Sequence, residues 1–191
     1  MYKVFIKRIL DFIISICAIL ILFIPMIVIA ISVFISDPGP IFYTQKRFGK
    51  NKKYFYIIKY RTMKVNTPDL PTDKLKNPEQ YVTGCGKILR RFSLDELPQL
   101  FNILVGQMSF VGPRPALWNQ TELMKMRDKN GSSLLRPGLT GWAQINGRDD
   151  IPEKLKAKFD GEYAQRISFL FDCKCFFGTF KKALKHDGVA E

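Results

Sequence analysis

Residues 90–115 read RRFSLDELPQLFNILVGQMSFVGPRP. Two adjacent carboxylates, Asp95 and Glu96, lie there between an arginine pair and an apolar run, and a stiff Gly-Pro-Arg-Pro segment follows the run. An acidic pair with cationic neighbours is out of character on a chain whose formal net charge is +13. Arginine and lysine side chains form strong charge-assisted hydrogen bonds with phosphate oxygens. The stretch therefore predicts a phosphate-handling active site.

The acidic pair also has a purely structural interpretation. Ser93 and Glu96 have the spacing of a capping box, which predicts that Glu96 bonds back to the Ser93 amide and starts a helix extending to Val105. Capping does not account for Asp95. An ionised aspartate can attack phosphorus, and a neighbouring glutamate can hold Mg²⁺, whose charge offsets the repulsion between the nucleophile and a diphosphate. We expect both uses of this pair, with Asp95 and Glu96 as catalytic residues and Glu96 as the metal ligand.

The composition limits the classes of partner. Thirty Lys and Arg against 17 Asp and Glu indicate an anionic partner, which could be nucleic acid, an anionic membrane surface or a phosphorylated substrate. An apolar N-terminal segment favours the membrane, so we expect no nucleic acid. His186 is the only histidine, which disfavours Ser-His or Cys-His catalysis and leaves acid–base work to carboxylates. The 191 residues are enough for one catalytic domain plus an anchor.

The N-terminal segment has no charged residue from Phe12 to Ile35. At about 1.5 Å per residue, such a helix can cross a ~30 Å hydrocarbon core. However, Pro25 interrupts the run and favours a kink, and both flanks are basic, so both ends favour the cytoplasm. From the residues alone, a spanning helix and a re-entrant hairpin remain alternatives. The basic flanks contain Lys3, Lys7, Arg8, Lys46, Arg47, Lys50, Lys52 and Lys53.

The segment after the anchor alternates aromatic or β-branched residues with polar ones. Residues 41–48 and 54–61, on either side of Gly49-Lys50-Asn51, predict a β-hairpin. Because side chains repeat every second residue, Lys59 and Arg61 are predicted on one face of its second strand. Residues 65–83 contain three prolines and no apolar period, which predicts a surface loop. The turn at Gly84-Cys85-Gly86-Lys87 leads into a helix that carries Arg90.

Two later segments supply candidate ligand contacts. Arg114 lies between two prolines that fix the backbone, so its guanidinium is suited to bind phosphate bidentately. Residues 136–148 combine turn-forming glycines with the donors Arg136, Gln144 and Arg148. The C-terminal region, from about Leu155 onward, repeats aromatic residues at helical spacing with lysines on another face. That pattern predicts amphipathic helices that either pack in the core or lie in a membrane interface.

Four of these motifs together resemble the bacterial sugar transferases, the monotopic polyprenyl-phosphate phosphoglycosyl transferases. They are KYRTM at 59–63, SLDELPQ at 93–99, GPRP at 112–115 and RPGLTGWAQINGR at 136–148. They occur in register, and the resemblance extends from about Lys7 to Gly188. The chain resembles the minimal members, which lack extra N-terminal transmembrane helices, and it is closest to those acting on UDP-N,N'-diacetylbacillosamine in protein glycosylation.

The resemblance implies an α+β fold with a re-entrant membrane helix hairpin over residues 1–38. Residues 39–191 would form a small, mostly helical, membrane-associated catalytic domain with a β-hairpin and interfacial amphipathic helices, on the cytoplasmic face of the bacterial inner membrane. Many members have Ser-Pro at the helix break, whereas this chain has Ile24-Pro25.

The resemblance also implies a ping-pong reaction with Mg²⁺ as cofactor. Asp95 would attack the β-phosphate of a UDP-sugar, UMP would leave, and polyprenyl phosphate would take the sugar 1-phosphate in the first membrane step of glycan assembly. The expected partners are the UDP-sugar, polyprenyl phosphate, membrane phospholipids, a homo-oligomer and downstream glycosyltransferases. The expected substrate-binding residues are Lys59, Arg61, Arg90, Arg114, Arg136, Gln144 and Arg148.

Three rival functions remain open. A family member could use a UDP-hexose or UDP-HexNAc for capsule or O-antigen instead. A non-enzymatic membrane-anchored binder of anionic lipid or nucleic acid would explain the net charge but not Asp95 and Glu96. A glycosyltransferase that transfers sugar without phosphate commonly uses Asp-x-Asp, which is absent here, and would release UDP.

Overall fold

The computed structural model describes residues 2–68, 77–147 and 151–185, which form a mixture of helices and short strands. A single turn of π-helix (Tyr2–Ile6) precedes the first α-helix. The elements in chain order are α1 (Lys7–Ser36), β1 (Phe42–Phe48), β2 (Tyr54–Tyr60), α2 (Gly84–Arg91), α3 (Gln99–Leu104), β3 (Ser109–Val111), α4 (Thr121–Lys129), β4 (Gly138–Thr140), α5 (Trp142–Gly147), α6 (Glu153–Arg166) and α7 (Phe169–Lys185).

Helix α1 contains the apolar N-terminal segment. In the described part of the chain it is the one helix long and apolar enough to cross a membrane, by length and composition. The residues alone left a spanning helix and a re-entrant hairpin open, and the resemblance implied the hairpin. The structure has one helix that continues through Pro25. Proline removes only one backbone hydrogen bond, and the remaining bonds keep a long apolar helix intact across it.

One stripe of α1 packs on the rest of the chain. Its buried residues recur at helical spacing, and the half-buried Ala18, Ile19 and Leu22 pack between them against α3 and β2. The remaining surface of α1 is apolar and exposed: Ile21, Ile24 and Ile35 each expose more than 70% of their surface. An exposed apolar face of this length indicates contact with lipid. The buried stripe consists of Asp11, Ser15, Met26 and Val33.

Both ends of α1 form hydrogen bonds with the domain formed by the rest of the chain. Near its N-terminus, Arg8 donates to the carbonyls of Ile103 and Leu104 at 2.6 and 2.7 Å. Just beyond its C-terminus, Asp37 accepts from the Arg61 guanidinium at 2.7 Å. The domain therefore lies along the whole of the helix.

The predicted β-hairpin is confirmed. β1 and β2 pair antiparallel from Phe42 opposite Tyr60 to Phe48 opposite Tyr54. The turn uses Asn51 at φ 55°, a left-handed conformation that asparagine tolerates. The inner face buries Phe55 and Ile57 against α1 and α3. β2 thus connects the anchor helix to the segment that carries Asp95 and Glu96.

The second half of the chain is built around the parallel pair β3 and β4. Backbone segments approach very closely here, because a Cβ on Gly138 would lie 2.1 Å from the Gly112 nitrogen. Only glycine fits at such a contact. Helices α6 and α7 cover this pair through Tyr163 and Phe171, which belong to one buried cluster. The Gly-Pro-Arg-Pro segment is thereby fixed between β3 and β4.

The capping box predicted at Ser93 is wrong. Ser93 has φ 55° and ψ 25° and makes no side-chain cap bond, whereas an N-cap residue normally has an extended backbone. Residues Leu94–Glu96 form a short 3₁₀ turn, and α3 begins only at Gln99. The side chain of Glu96 instead accepts a hydrogen bond from Lys59 in β2.

The structure describes part of the predicted loop and part of the C-terminal helical region. Within the loop, Pro78–Tyr81 form a 3₁₀ turn, and residues 69–76 lie outside the described part. Helix α7 buries Phe171 and Cys175 and exposes Leu170 and Phe177. Its aromatic residues thus serve both the core and the exposed surface, the two uses that the sequence left open.

A buried ion pair joins α4 and α6. Arg127 Nε lies 2.8 Å from Asp160 Oδ2, and both side chains are almost fully buried. We predict that Asp160→Leu alone destabilises the fold by about 3–5 kcal/mol, because the Arg127 charge stays buried without its partner. The double variant Arg127→Met with Asp160→Leu should recover most of the loss. Thermal unfolding in detergent measures both.

The exposed pair Lys125–Glu122 on the same helix is the control, because surface pairs contribute little. Lys125→Met should leave the unfolding temperature unchanged. Equal destabilisation by Asp160→Leu and by the double variant would contradict the prediction.

Candidate active site

Asp95 and Glu96 lie on the short turn between α2 and α3. Asp95 is 8% exposed, and the Glu96 side chain is 18% exposed. Two neighbouring carboxylates with so little contact with water require cations to offset their charge. The nearest cation is Lys59 at the end of β2, whose ammonium is 2.7 Å from Glu96 Oε1 and 3.7 Å from Asp95 Oδ2. The sequence named Lys59 only as a substrate-binding residue, and the structure places it beside the acidic pair.

Two arginines complete the cationic surroundings. The Arg114 guanidinium lies 3.9 Å from Glu96 Oε1 and is presented by the rigid Gly-Pro-Arg-Pro segment. Arg90 is held by Thr62, whose Oγ1 accepts from Nε at 2.9 Å. Helix α2 can lie this close to Thr62 because Gly86 has no side chain: a Cβ there would lie 2.1 Å from the Thr62 carbonyl oxygen.

Burial and these cations affect the two carboxyl groups in opposite directions. Burial raises the pKa of Asp95, and the opposing effect of Lys59 is too small to reverse it. For Glu96, burial also acts to raise the pKa, but Lys59 and Arg114 outweigh it and the net shift is downward. Burial lowers the pKa of Arg90, and Asp95 acts against that shift. Glu96 is thus the firmly ionised member of the pair, and Asp95 is the more basic one.

These shifts give opposite dependences of stability on pH. Glu96 has a folded pKa below 4.5, so its contribution to stability is present above that pH and is lost as the pH falls through the folded value. Asp95 has a folded pKa above 3.8, so its contribution is present below that pH and is lost as the pH rises through the folded value.

Other predicted site residues lie apart from the pair. Arg61 bonds both the carboxylate and the carbonyl of Asp37, so its charge is used at the end of α1. Arg136 Nε donates to the Gly106 carbonyl at 2.9 Å. Arg148, also predicted as a site residue, lies outside the described residues.

Gln144 lies close to the backbone of the Gly-Pro-Arg-Pro segment that presents Arg114. It is 8% exposed, and neither its amide nitrogen nor its amide oxygen has a hydrogen-bond partner among the described residues. A Cβ on Gly141 would lie 2.7 Å from Gln144 Oε1 and 2.1 Å from the Gly112 carbonyl oxygen. Gln144 therefore lies beside the segment that presents Arg114. Unpaired buried amide atoms are costly, and they indicate a place where a ligand or water completes the bonding.

Two residues that support the site were not predicted to do so from the sequence. Thr62 lies within the quoted KYRTM motif, and nothing local indicates that it holds Arg90. Arg47 was counted only as part of a basic flank, yet it helps to lower the Glu96 pKa and donates to the Pro115 carbonyl at 3.0 Å. The strand alternation could have placed it, because Arg47 pairs with Phe55 on the inner face of the hairpin.

The residues that could hold a metal are the adjacent pair itself. In residues 2–68, 77–147 and 151–185, no group of three or more His, Cys, Asp or Glu side chains has a metal-binding arrangement. Mg²⁺ in phosphate-transfer sites commonly uses one or two carboxylates together with substrate phosphates and water. Asp95 and Glu96 fit that mode of binding.

The central position of Lys59 gives a direct prediction. Lys59→Met should raise the pKa of both Asp95 and Glu96, because each loses its nearest cation. Carbon-13 NMR of the side-chain carboxyl groups across a pH titration measures both values. Lys46→Met is the matched control, since Lys46 lies on the exposed face of the hairpin over the Tyr54 ring. Unchanged titration of both carboxyl groups in Lys59→Met would contradict this interpretation of the site.

Comparisons with known proteins agree with the motifs. A family model described as bacterial sugar transferase matches residues 2–186. The chain is 38% identical to the UDP-glucose:undecaprenyl-phosphate glucose-1-phosphate transferase of Xanthomonas campestris pv. campestris, over 96% of this chain and 40% of that protein. It is 34% identical to the undecaprenyl-phosphate galactose phosphotransferase of Salmonella typhimurium strain LT2, over 97% of this chain and 42% of that protein.

A third relative is similar in length. The exopolysaccharide production protein ExoY of Sinorhizobium fredii is 39% identical over 91% of this chain and 83% of that protein. By contrast, the chain spans about two fifths of the length of the glucose and galactose enzymes. The family match covers nearly all of the chain, including the acidic pair, the Gly-Pro-Arg-Pro segment and the Gln144 segment. The chain belongs to the bacterial sugar transferase family.

Proposed function

We propose that this protein is a phosphoglycosyl transferase that moves a sugar 1-phosphate from a UDP-sugar to polyprenyl phosphate. The products are polyprenyl-diphospho-sugar and UMP. The observation that carries the proposal is the buried Asp95–Glu96 pair, with Lys59 2.7 Å from one member and 3.7 Å from the other. The names of the relatives, which describe transfer of glucose 1-phosphate or galactose phosphate to undecaprenyl phosphate, support the same reaction.

The reaction has two displacements at phosphorus. A carboxylate oxygen of Asp95 attacks the β-phosphorus of the UDP-sugar, the bond from that phosphorus to the bridging oxygen breaks, and UMP leaves with the electron pair. An oxygen of polyprenyl phosphate then attacks the same phosphorus and releases Asp95 as its carboxylate. The raised pKa of Asp95 supports its role as nucleophile, because the more basic carboxylate donates its electrons more readily once ionised.

The cations around the pair have distinct tasks in this scheme. Lys59 neutralises Glu96 and partly offsets the charge of Asp95, which lowers the repulsion that an incoming diphosphate meets. Arg114 is close enough to Glu96 to reach phosphate oxygens bound beside it. Arg90 adds positive charge on the Asp95 side. The Gln144 amide, buried with no partner among the residues described, is available to orient the nucleotide or sugar.

Glu96 is proposed to hold Mg²⁺. When bound, this ion neutralises phosphate charge and orients the diphosphate. The lowered pKa of Glu96 supports the role, since a metal ligand has to be ionised at neutral pH. Its Oε1 already accepts from Lys59, so metal and lysine share the same carboxyl group.

Helix α1 is proposed to enter the membrane from the cytoplasmic face and to keep both ends on that face. A straight helix of 30 residues would be roughly 45 Å long. If it spanned the bilayer, the domain bonded to Arg8 and to Asp37 would have to lie within the hydrocarbon. Lipid cannot satisfy the exposed backbone of loops and sheet edges. These contacts support a monotopic anchor on the bacterial inner membrane.

The sugar and the pathway remain predictions. We retain UDP-N,N'-diacetylbacillosamine and protein glycosylation as the expected use, with a UDP-hexose for capsule or O-antigen as the alternative. Two of the relatives reported above are named for glucose and galactose. A homo-oligomer and downstream glycosyltransferases stay expected partners.

Asp95→Asn should abolish the covalent intermediate, because the amide keeps the shape of the side chain but lacks the attacking oxygen. Intact-protein mass spectrometry, after quenching with UDP-sugar present and polyprenyl phosphate absent, should detect a sugar-phosphate adduct on Asp95 in the wild type only. Glu96→Gln should still form it, more slowly and with weaker Mg²⁺ dependence. Asp128→Asn, at an exposed carboxylate paired with Lys52, is the control and should behave as the wild type.

An adduct that persists in Asp95→Asn would mean that another residue is the nucleophile. The nucleotide released in a second assay, with both UDP-sugar and polyprenyl phosphate present, separates the rival functions. UMP supports the proposal, UDP would indicate transfer of sugar without phosphate, and the absence of any turnover would favour a non-enzymatic binder.

The topology is tested by labelling single cysteines at positions 3 and 50 with a membrane-impermeant reagent. Lys3→Cys and Lys50→Cys are placed in a background whose four native cysteines are replaced by alanine. Both should react in disrupted cells and neither should react from outside intact cells. The background without a new cysteine gives the control level. Reaction of either site from outside would overturn the monotopic anchor.

A further inference from the structure

An open pocket lies at the corner between α6 and α7, on a part of the domain that the proposed reaction does not use. It has a volume of about 260 Å³ and is lined by Arg166, Ser168, Leu170, Phe171 and Lys174. None of these residues belongs to the motifs that carry the resemblance or to the acidic pair. The pocket combines two cations with apolar side chains, so its chemistry suits a ligand that has both an anionic and an apolar part.

The two cations are held at the ends of an aromatic stack. The Arg166 guanidinium lies 4.7 Å from the centre of the Phe171 ring, and Lys174 Nζ lies 5.1 Å from the centre of the Trp142 ring. The Phe171 and Trp142 rings themselves contact each other at 5.0 Å between centres. Cation–π contacts of this kind position a charge without neutralising it.

Neither cation pairs with an acid in the part of the chain that the structure describes. Across the described ranges of the chain, no salt bridge joins Arg166 or Lys174 to a carboxylate. An acid in the first turn of α7, Asp172, is buried and already bonded to Lys7 at 2.5 Å and to the hydroxyls of Tyr2 and Tyr163. The pocket therefore keeps an excess of positive charge.

The same bonds place the pocket beside the start of the anchor. Tyr2 lies just before α1 and Lys7 is its first residue. Both donate hydrogen bonds to Asp172 of α7. The Tyr2 ring also contacts the Phe169 ring, with 6.2 Å between centres. Next to them Leu170 is 78% exposed and Phe169 is 53% exposed. An apolar pair that protrudes beside two cations is typical of a membrane interface, where side chains enter the acyl region and cations meet headgroups.

We propose that this pocket binds the headgroup of an anionic glycerophospholipid. Arg166 and Lys174 contact the phosphate from two sides, the Ser168 hydroxyl adds a donor, and Leu170 lies against the first part of the acyl chains. The site fixes the α6–α7 corner to the bilayer at a point separate from the apolar face of α1. The inference rests on the membrane placement proposed above, and the experiment tests that placement separately.

The probe is Trp142, which lies under Lys174. In a Trp118→Phe background Trp142 is the only tryptophan. The full chain is placed in nanodiscs of phosphatidylcholine that contain a small fraction of brominated phosphatidylglycerol or brominated phosphatidylcholine, since bromine quenches tryptophan only at short range. Non-brominated lipids of the same headgroups give the reference intensities. We expect brominated phosphatidylglycerol to quench Trp142 more strongly than brominated phosphatidylcholine does. Each cation that contacts the anionic headgroup should increase the binding preference for it by roughly fivefold.

Matched variants distinguish binding at this pocket from a general effect of the protein's net charge. Arg166→Gln with Lys174→Gln should remove the preference, and Arg166→Lys with Lys174→Arg should retain it. Lys50→Gln with Lys53→Gln removes the same charge from the exposed hairpin turn and should also retain it. Circular dichroism confirms that each variant is folded. If the hairpin variant lost the preference for the anionic lipid to the same extent, net charge alone would explain the preference. That result would overturn the proposal.

The remaining outcomes are also distinct. No quenching by either brominated lipid would place the pocket away from the bilayer and overturn the membrane placement too. Equal quenching by both lipids would retain the placement and overturn the headgroup site. Relief of quenching by equimolar polyprenyl phosphate would assign the pocket to the acceptor, and relief by glycerol 1-phosphate would assign it to a soluble phosphate; either result overturns the present assignment.

Discussion

The contact of Lys59 with two adjacent carboxylates is the interaction on which the arrangement of this domain depends. Two neighbouring acids removed from water repel each other and lose hydration, so each needs a cation at short range. Lys59 supplies it from a different element, at 2.7 and 3.7 Å. The turn at 94–96 can therefore stay buried only while β2 lies beside it. This requirement explains why a hairpin distant in sequence packs against the segment between α2 and α3.

The last two residues of β2 and the two that follow it each contact a different part of the chain. Lys59 bonds Glu96, and the next residue, Tyr60, donates its hydroxyl to the Met26 carbonyl in α1 at 2.8 Å. Arg61 bonds Asp37 just beyond the end of α1, and Thr62 accepts from Arg90. Because side chains alternate along a strand, one short segment can contact the acidic pair, the middle of the anchor helix and its end. The contacts that hold the anchor helix thus come from the residues next to Lys59.

The sequence predicts those features that local periodicity determines. Alternation predicted the hairpin, and the same alternation predicted that Lys59 and Arg61 share a face. The destination of Arg61 was not predictable, since its partner Asp37 is 24 residues away and no local pattern connects them. The start of α3 was misplaced because the capping-box spacing is a local signal, whereas Ser93 adopts a left-handed backbone and Glu96 bonds Lys59 across the fold. Ion pairs between distant parts of the chain determine where the side chains of Arg61 and Glu96 lie. Local periodicity in the sequence carries no information about such pairs.

The net charge of +13 is the sum of groups with different physical roles. Lys59, Arg114 and Arg90 surround buried carboxylates, and their effect is to control ionisation in the site. Arg8 and Arg61 bond the two ends of α1 to the domain through carbonyls and Asp37. Arg166 and Lys174 instead stack on rings at the surface with no carboxylate partner among the described residues. A high net charge by itself therefore indicates only an anionic environment, and the identity of each partner follows from what each cation contacts.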